Sequence, residues 1–314
     1  VKPILASAFC LILFTAQAIA EEETPQTKAE DKSATAAVAD EAYGAYQRGQ
    51  YLTAFKLALD RAENGDAAAQ TLIAIMYEKG QGVKQNLEEA TIWYGIAANS
   101  GNRDAQFAYA LRLLRGQGVK QDLEEGFEMM EKAAIGGHPQ AMFNHANQLI
   151  NQRPTSAGYR NALPFFEKAA DAQVVEAFYA LAQIYKAGKT NGIQDPAKAR
   201  LWLKRAADSG FDTAQIELAI QYLQGVNGEK DPVKAFNYFM QAAVRGNVIA
   251  QNRLAKMYAF GVGTDISPVE AAKWHILASR AGLSDIDLEQ FLKTLDEETR
   301  QLGLVQANQW RALP

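Results

Sequence analysis

Three histidines, one cysteine and a scatter of carboxylates are the residues of this chain best suited to catalysis or metal binding. His138, His145 and His275 lie far apart, and none belongs to a His-Glu-x-x-His pair that would set two imidazoles on one helix face. Cys10 falls within the first twenty residues, so thiol chemistry is not expected in the rest of the chain. From residue 21 onward there is no Ser-x-x-Lys, no G-x-x-x-x-G-K-[ST] and no dinucleotide fingerprint, which removes the common local signatures of acyl transfer, phosphate binding and hydride transfer. Gly80-x-Gly82 and Gly261-x-Gly263 fit repeat turns better than phosphate loops. Paired carboxylates need no sequence signature, but most Glu and Asp fall where a solvated helix face is the simpler reading. The expectation is a protein with no catalytic residue, no metal and no cofactor.

The elements that would have to position any site are strongly periodic. Gly65, Gly101, Gly137, Gln173, Gly210, Gly246 and Gly282 recur at steps of 36 or 37 residues, which marks stacked supersecondary units. Each unit holds two helical stretches. In the first, apolar or small residues stand four, five and eight places after a leading alanine: Ala105, Tyr109, Ala110 and Leu113. The same stripe returns from Ala69, Ala177, Ala214 and Ala250. This spacing keeps to one helix face, where alanine allows close approach and Leu or Tyr fills the layer. Gly80, Gly116, Gly188, Gly225 and Gly261 stand where a left-handed cap would end the first helix. The second helix is announced by Asn86-x-x-Glu89, Asp122-x-x-Glu125 and Ser267-x-x-Glu270, and by Asp195-Pro196 and Asp231-Pro232. Bulky pairs such as Trp93-Tyr94, Phe165-Phe166 and Tyr238-Phe239 follow as layer packing.

These residues carry a family resemblance. A-x-x-x-L-A-x-x-Y-x-x-G-x-G-V, seen best from Ala69 to Val83, followed by the Asn86–Gly101 segment, resembles the Sel1-like repeat, a relative of the tetratricopeptide repeat. It covers six copies from about Ala67 to Gly282, and Tyr43–Gly65 is closer to a tetratricopeptide. The resemblance implies an all-α, right-handed solenoid of antiparallel helix pairs and an adaptor role in signalling or envelope processes. The cysteine-free, exported layout with a helical tail is similar to the periplasmic regulators of exopolysaccharide synthesis in alphaproteobacteria. That branch restrains a sensor kinase.

In a tetratricopeptide-like stack, positions two and six after the leading alanine line the groove. The first set is Thr71, Phe107, Phe143, Tyr179, Ile216 and Asn252; the second is Ile75, Leu111, Asn147, Gln183, Ile220 and Lys256. Phe107, Phe143 and Tyr179 would form an aromatic ladder, flanked by Leu111, Asn147 and Gln183, for an extended peptide or a partner's helix. Core filling competes with that role at Phe107 and Tyr179. The repeat led by Ala141 is irregular. Gln152 and Pro154 replace turn glycines, Gly158 replaces the cap, and Pro164 should delay the second helix. Ordinary drift and a functional bend both fit. His145 replaces a core Leu or Ile there, so burial would make it costly to charge and a candidate pH-sensing hinge. His275 takes a position held elsewhere by Tyr94 or Phe239 and is expected to be structural.

Lys2, the apolar run Ile4–Phe14 and Ala18-Ile19-Ala20 have the form of an export signal cleaved after Ala20. The run is shorter than the ~20 residues that span a bilayer. Residues 21–39 are acidic and lack an apolar period, so a flexible leader is expected. The solenoid should occupy 40–282 and a helical cap 283–314, with helices at Ser284–Leu292 and Leu295–Trp310 and Thr294 opening the second. Loss of Lys2 moves the formal charge from −4 to −5, a poor surface for nucleic acid. The expected function is a periplasmic interaction scaffold or regulatory adaptor, with a negative regulator of a membrane sensor kinase as its specific form. An assembly scaffold for envelope or polysaccharide export is the alternative, and a cell-wall hydrolase a more distant one.

Overall fold

The computed structural model describes residues 41–312 except 227 and 229. The expected export signal, Cys10 and the acidic leader lie outside the described residues. Within them the chain forms sixteen helices and no strand. After α1 (41–47) come α2 (Tyr51–Glu63), α3 (Ala67–Lys79), α4 (Leu87–Asn99), α5 (Arg103–Arg115) and α6 (Leu123–Ile135). Next are α7 (Pro139–Gln152), α8 (Ser156–Asp171), α9 (Val175–Ala187), α10 (Pro196–Asp208) and α11 (Asp212–Gln224). The last are α12 (Pro232–Val244), α13 (Val248–Phe260), α14 (Pro268–Arg280), α15 (Ile286–Thr294) and α16 (Glu297–Gln309). From α3 to α13 each helix packs chiefly on the helices before and after it, as a solenoid requires.

The repeating stripe is the interior. Ala105, Ala110 and Leu113 are buried, as are Ala177, Leu181 and Ala182, and Ala214, Leu218 and Ala219. Phe166 and Phe239 supply the bulk between layers. A second device ties the layers: the glutamine after the leading alanine is buried and donates across the inter-repeat turn. Gln70 reaches the carbonyl of Ala62, Gln106 that of Ala98, Gln215 that of Ala207 and Gln251 that of Ala243, at 2.9–3.3 Å. Such a bond is worth about 1 kcal/mol net, and more is lost if one partner is removed and the other left buried. Met142 and Phe178 occupy this place in the repeats led by Ala141 and Ala177, so the middle of the array replaces the tie by apolar contact.

The helix ends follow the sequence. Gly80, Gly116, Gly188, Gly225 and Gly261 are left-handed C-caps. Asn86, Asp122, Asp195, Asp231 and Ser267 cap the second helices by side-chain bonds to backbone N–H groups. The second glycine of each G-x-G turn has a different duty. At Gly118 a Cβ would lie 2.3 Å from the Leu87 carbonyl oxygen, and at Gly263 2.1 Å from that of Pro232. These turns therefore rest on the opening backbone of the preceding repeat's second helix, an approach only glycine permits.

The repeat led by Ala141 departs from expectation. Pro164 does not delay α8, which starts at Ser156 and carries the proline inside it. The turn before it is cut to Arg153, Pro154 and Thr155, which gives the helix an extra first turn. Pro164 then falls on an exposed position, where its unpaired backbone partner can meet water. Gly158 is not a cap: it is buried in α8, with the Arg153 carbonyl so close that a Cβ would stand 1.9 Å away. At the C-terminus α15 and α16 form as expected, but Thr294 ends α15, bonding back to the Phe291 carbonyl. Asp296 caps α16 instead, accepting from Thr299 N at 2.8 Å. A carboxylate at the N-cap favours the helix dipole more than a hydroxyl does. α16 packs on α14, and α15 touches α13.

One position stores strain. Gln173 has φ of 63°, where the equivalent Gly65, Gly101, Gly137, Gly210, Gly246 and Gly282 are also positive. A side chain there costs roughly 1–2 kcal/mol, which glycine's greater unfolded freedom offsets only in part. Gln173→Gly is expected to stabilise the protein by about 0.5–1 kcal/mol in urea unfolding; a loss of stability would contradict this conformation.

Candidate binding groove

The first helices of successive repeats present one face of half-buried residues. Thr71, Ile75, Phe107, Leu111, Phe143, Asn147, Tyr179, Gln183, Ile216 and Ile220 all lie on it, neither fully buried nor free. The last expected pair is covered. Asn252 is buried and donates to Asp285, while Lys256 pairs with Asp285 at 2.9 Å and Asp287 at 3.1 Å. The start of α15 therefore closes this end of the face, with Lys256 holding the Asp285 carboxyl below its ordinary range despite some burial.

The aromatic ladder is not continuous. Phe107 stacks on His138, with ring centroids 4.2 Å apart, Phe143 meets Phe166 edge-on at 5.7 Å, and Tyr179 leans on Phe211 at 5.0 Å. The three rings do not stack on one another. Each leans on a residue of its own or the next layer, so packing claims much of the surface that the sequence assigned to a partner.

Two cavities open on the face, in the same register of the repeat. The larger, about 570 Å³, lies between α9, α10 and α11 and is lined by Gln183, Lys186, Arg200, Ile216, Glu217 and Ile220 among others. Its polar groups largely satisfy one another. Glu217 accepts from Gln183 Nε2 at 3.0 Å, from Lys186 Nζ at 2.5 Å and from the Tyr179 hydroxyl at 3.4 Å. Burial and the Glu217 carboxylate raise the Tyr179 pKa, which keeps it a donor. Glu217 was not anticipated from the sequence; its place one residue after Ile216 was the available signal. The smaller cavity, about 400 Å³, lies between α5, α6 and α7 and contains Leu111 and Asn147. Gln148 and Gln221, seven residues after their leading alanines, each contribute to one cavity and have a buried Oε1 without a hydrogen-bond partner. The same position in α5 is Arg112, buried, paired with Glu78 at 2.7 Å and placed over the Tyr94 ring.

His145 is buried between α7 and α8, edge-on to Phe165 at 4.8 Å, and its Nδ1 has no partner. His275 is buried in α14, as expected for a structural residue. His138 proves to be a helix cap: its Nδ1 accepts from Ala141 N at 3.1 Å. Among the described residues no group of three or more His, Cys, Asp or Glu could hold a metal, and no helix is long and apolar enough to cross a membrane.

A family model described as Sel1 repeat matches residues 67–102, 103–138, 175–211, 213–247 and 248–283. The chain belongs to the Sel1 repeat family. The model passes over α7 and α8, the pair with the shortened turn. The Sel1 repeat protein from Oxalobacter formigenes is 29% identical, with a TM-score of 0.66 over 77% of this chain and 99% of that one. A protective antigen of uropathogenic Escherichia coli with an SLR fold is 23% identical, with a TM-score of 0.56 over 83% of this chain and 64% of its own, and shows the fold alone. No curated protein matches the chain. Sel1 repeat solenoids are typically non-catalytic scaffolds for protein–protein interaction, because their recurrent residues are spent on packing.

Burial lowers the His138 pKa, with Arg103 adding to and Asp104 opposing the effect; burial also lowers that of His275, opposed by Glu289 and Asp285. The unfolded chain therefore takes up protons first. This contribution to stability is complete above the ordinary imidazole range and is lost as pH falls through it toward the lower folded values. His138→Asn supplies the cap that Asn102 and Asn247 provide elsewhere. It is expected to shrink the drop in urea midpoint between pH 7.5 and pH 5, whereas His138→Ala costs about 1 kcal/mol at pH 7.5. An unchanged drop in the asparagine variant would contradict the assignment.

Proposed function

We propose that this Sel1 repeat protein is an exported, periplasmic adaptor that holds a segment of a protein partner on its first-helix face. We propose further that the partner is the extracytoplasmic part of a membrane sensor kinase governing envelope or exopolysaccharide genes, which the adaptor restrains. The observation that carries the binding role is the pair of cavities in one repeat register, with apolar floors and polar rims, on a face that the cap closes only at its end. Cavities of this size take single side chains or short segments rather than a whole domain. Export rests on the sequence of residues 1–20, and the cysteine-free remainder suits an oxidising compartment without relying on disulfides.

Affinity capture from envelope extracts of the source organism tests both levels. Wild-type protein is expected to retain a sensor kinase. Asn147→Arg and Gln183→Arg, which fill the open cavities with a long side chain, are expected to lower its recovery about tenfold or more by steric exclusion of the partner, with melting temperature unchanged. Equal recovery by the variants would overturn the groove. Recovery of polysaccharide-export machinery instead would overturn the regulatory assignment.

A further inference from the structure

Both cavities hold a buried glutamine Oε1 without a partner, Gln148 in the smaller and Gln221 in the larger, but they differ in the charge around them. Around the larger one, Glu217 is engaged by three donors and Arg200 donates to the Val226 carbonyl at 2.9 Å. Around the smaller one, five amides come from a single helix: Asn144, Asn147, Gln148, Asn151 and Gln152 of α7. Asn147 donates to the Phe143 carbonyl; within the described residues the other four make no side-chain hydrogen bond, and Gln148 Oε1 is buried without a partner. α7 is also the one described helix without an Asp, Glu, Lys or Arg. Its shortened turn leaves Asn151 and Gln152 exposed at the end of the cleft.

We propose that this amide stripe binds the main chain of an extended, uncharged peptide segment, with one apolar side chain entering the cavity floored by Leu111, Leu114, Phe127 and Met130. The inference rests on the adaptor reading and names the subsite and the chemistry of the segment. Each side-chain amide offers a donor and an acceptor together, the same pair that every peptide unit presents. Asn144, Asn147, Gln148 and Asn151 are spaced by three and four residues, so they share a face and run about 10 Å along the axis. An extended strand advances about 6.6–6.8 Å for every two residues and turns alternate side chains the same way, so roughly three residues match the stripe and one faces the cavity. Charge complementarity sets the composition, since a charged side chain buried against α7 would meet no counter-charge. A neutral glycan is less well served, because the nearby rings of Phe107 and Phe143 pack against His138 and Phe166.

An array of fully randomised seven-residue peptides, probed with the intact protein, tests this. Selected peptides are expected to be apolar at alternate positions and uncharged between them. Asn144→Ala with Asn151→Ala is expected to weaken binding roughly tenfold or more, while Glu128→Ala on the outer face of α6 leaves it unchanged. N-methylation of one main-chain amide in a selected peptide should produce a similar loss. Binding that ignores the two asparagines but is lost in Gln183→Arg would overturn this subsite and leave the adaptor reading standing. Selection of neutral glycans on a parallel array, or of no peptide while capture of a folded partner succeeds, would overturn the inference alone. Failure of the wild-type protein to capture any partner would count against the adaptor reading itself.

Discussion

Each helix pair carries an apolar face that it cannot bury alone, and everything else in the molecule follows from how the neighbouring pair covers it. The leading alanines bring helices close enough for Leu113, Leu181, Leu218 and Leu254 to close the layer. The buried glutamines then hold last-turn carbonyls of the preceding pair's second helix, and the second glycine of each G-x-G turn sets one backbone onto another. Hydrophobic burial drives the stacking, while these short polar and steric ties fix its register.

A stack built this way has two ends and an uncommitted flank. The C-terminal end is closed by α15 and α16, with Lys256 and Asn252 drawn onto Asp285. The flank is interrupted where the pattern relaxes. In α7 and α8 the glutamine tie is gone, the turn is shortened and the core leucine is replaced by His145, while the freed helix face carries amides instead of charge. Loss of packing consensus and gain of unsatisfied hydrogen-bonding groups coincide in one repeat, which is the expected signature of a site grafted onto a scaffold.

The parts of this architecture that the backbone demands were legible in the sequence. Left-handed caps need glycine, N-caps need short polar side chains, and a layered helix needs its apolar residues on one stripe, so the period and the helix pairs could be read directly. Features set by a neighbouring layer could not. The sequence placed Phe107 and Tyr179 on the groove face but gave no sign that His138 and Phe211 would lean against them. The glutamine tie was hidden because Met142 and Phe178 interrupt its recurrence. Pro164 and Thr294 misled because a helix boundary depends on the length of the turn before it and on which nearby residue makes the better cap. The cavities arise from three helices at once, and no single segment encodes them.

Hydrogen exchange of the intact protein, measured free and with its captured partner, addresses the central claim most directly. Added protection on α5, α7, α9 and α11, with the outer positions of α4, α6 and α10 unchanged, is the expected result. Protection confined to the outer helices, or to the ends of the stack, would contradict the assignment of the first-helix face as the binding surface.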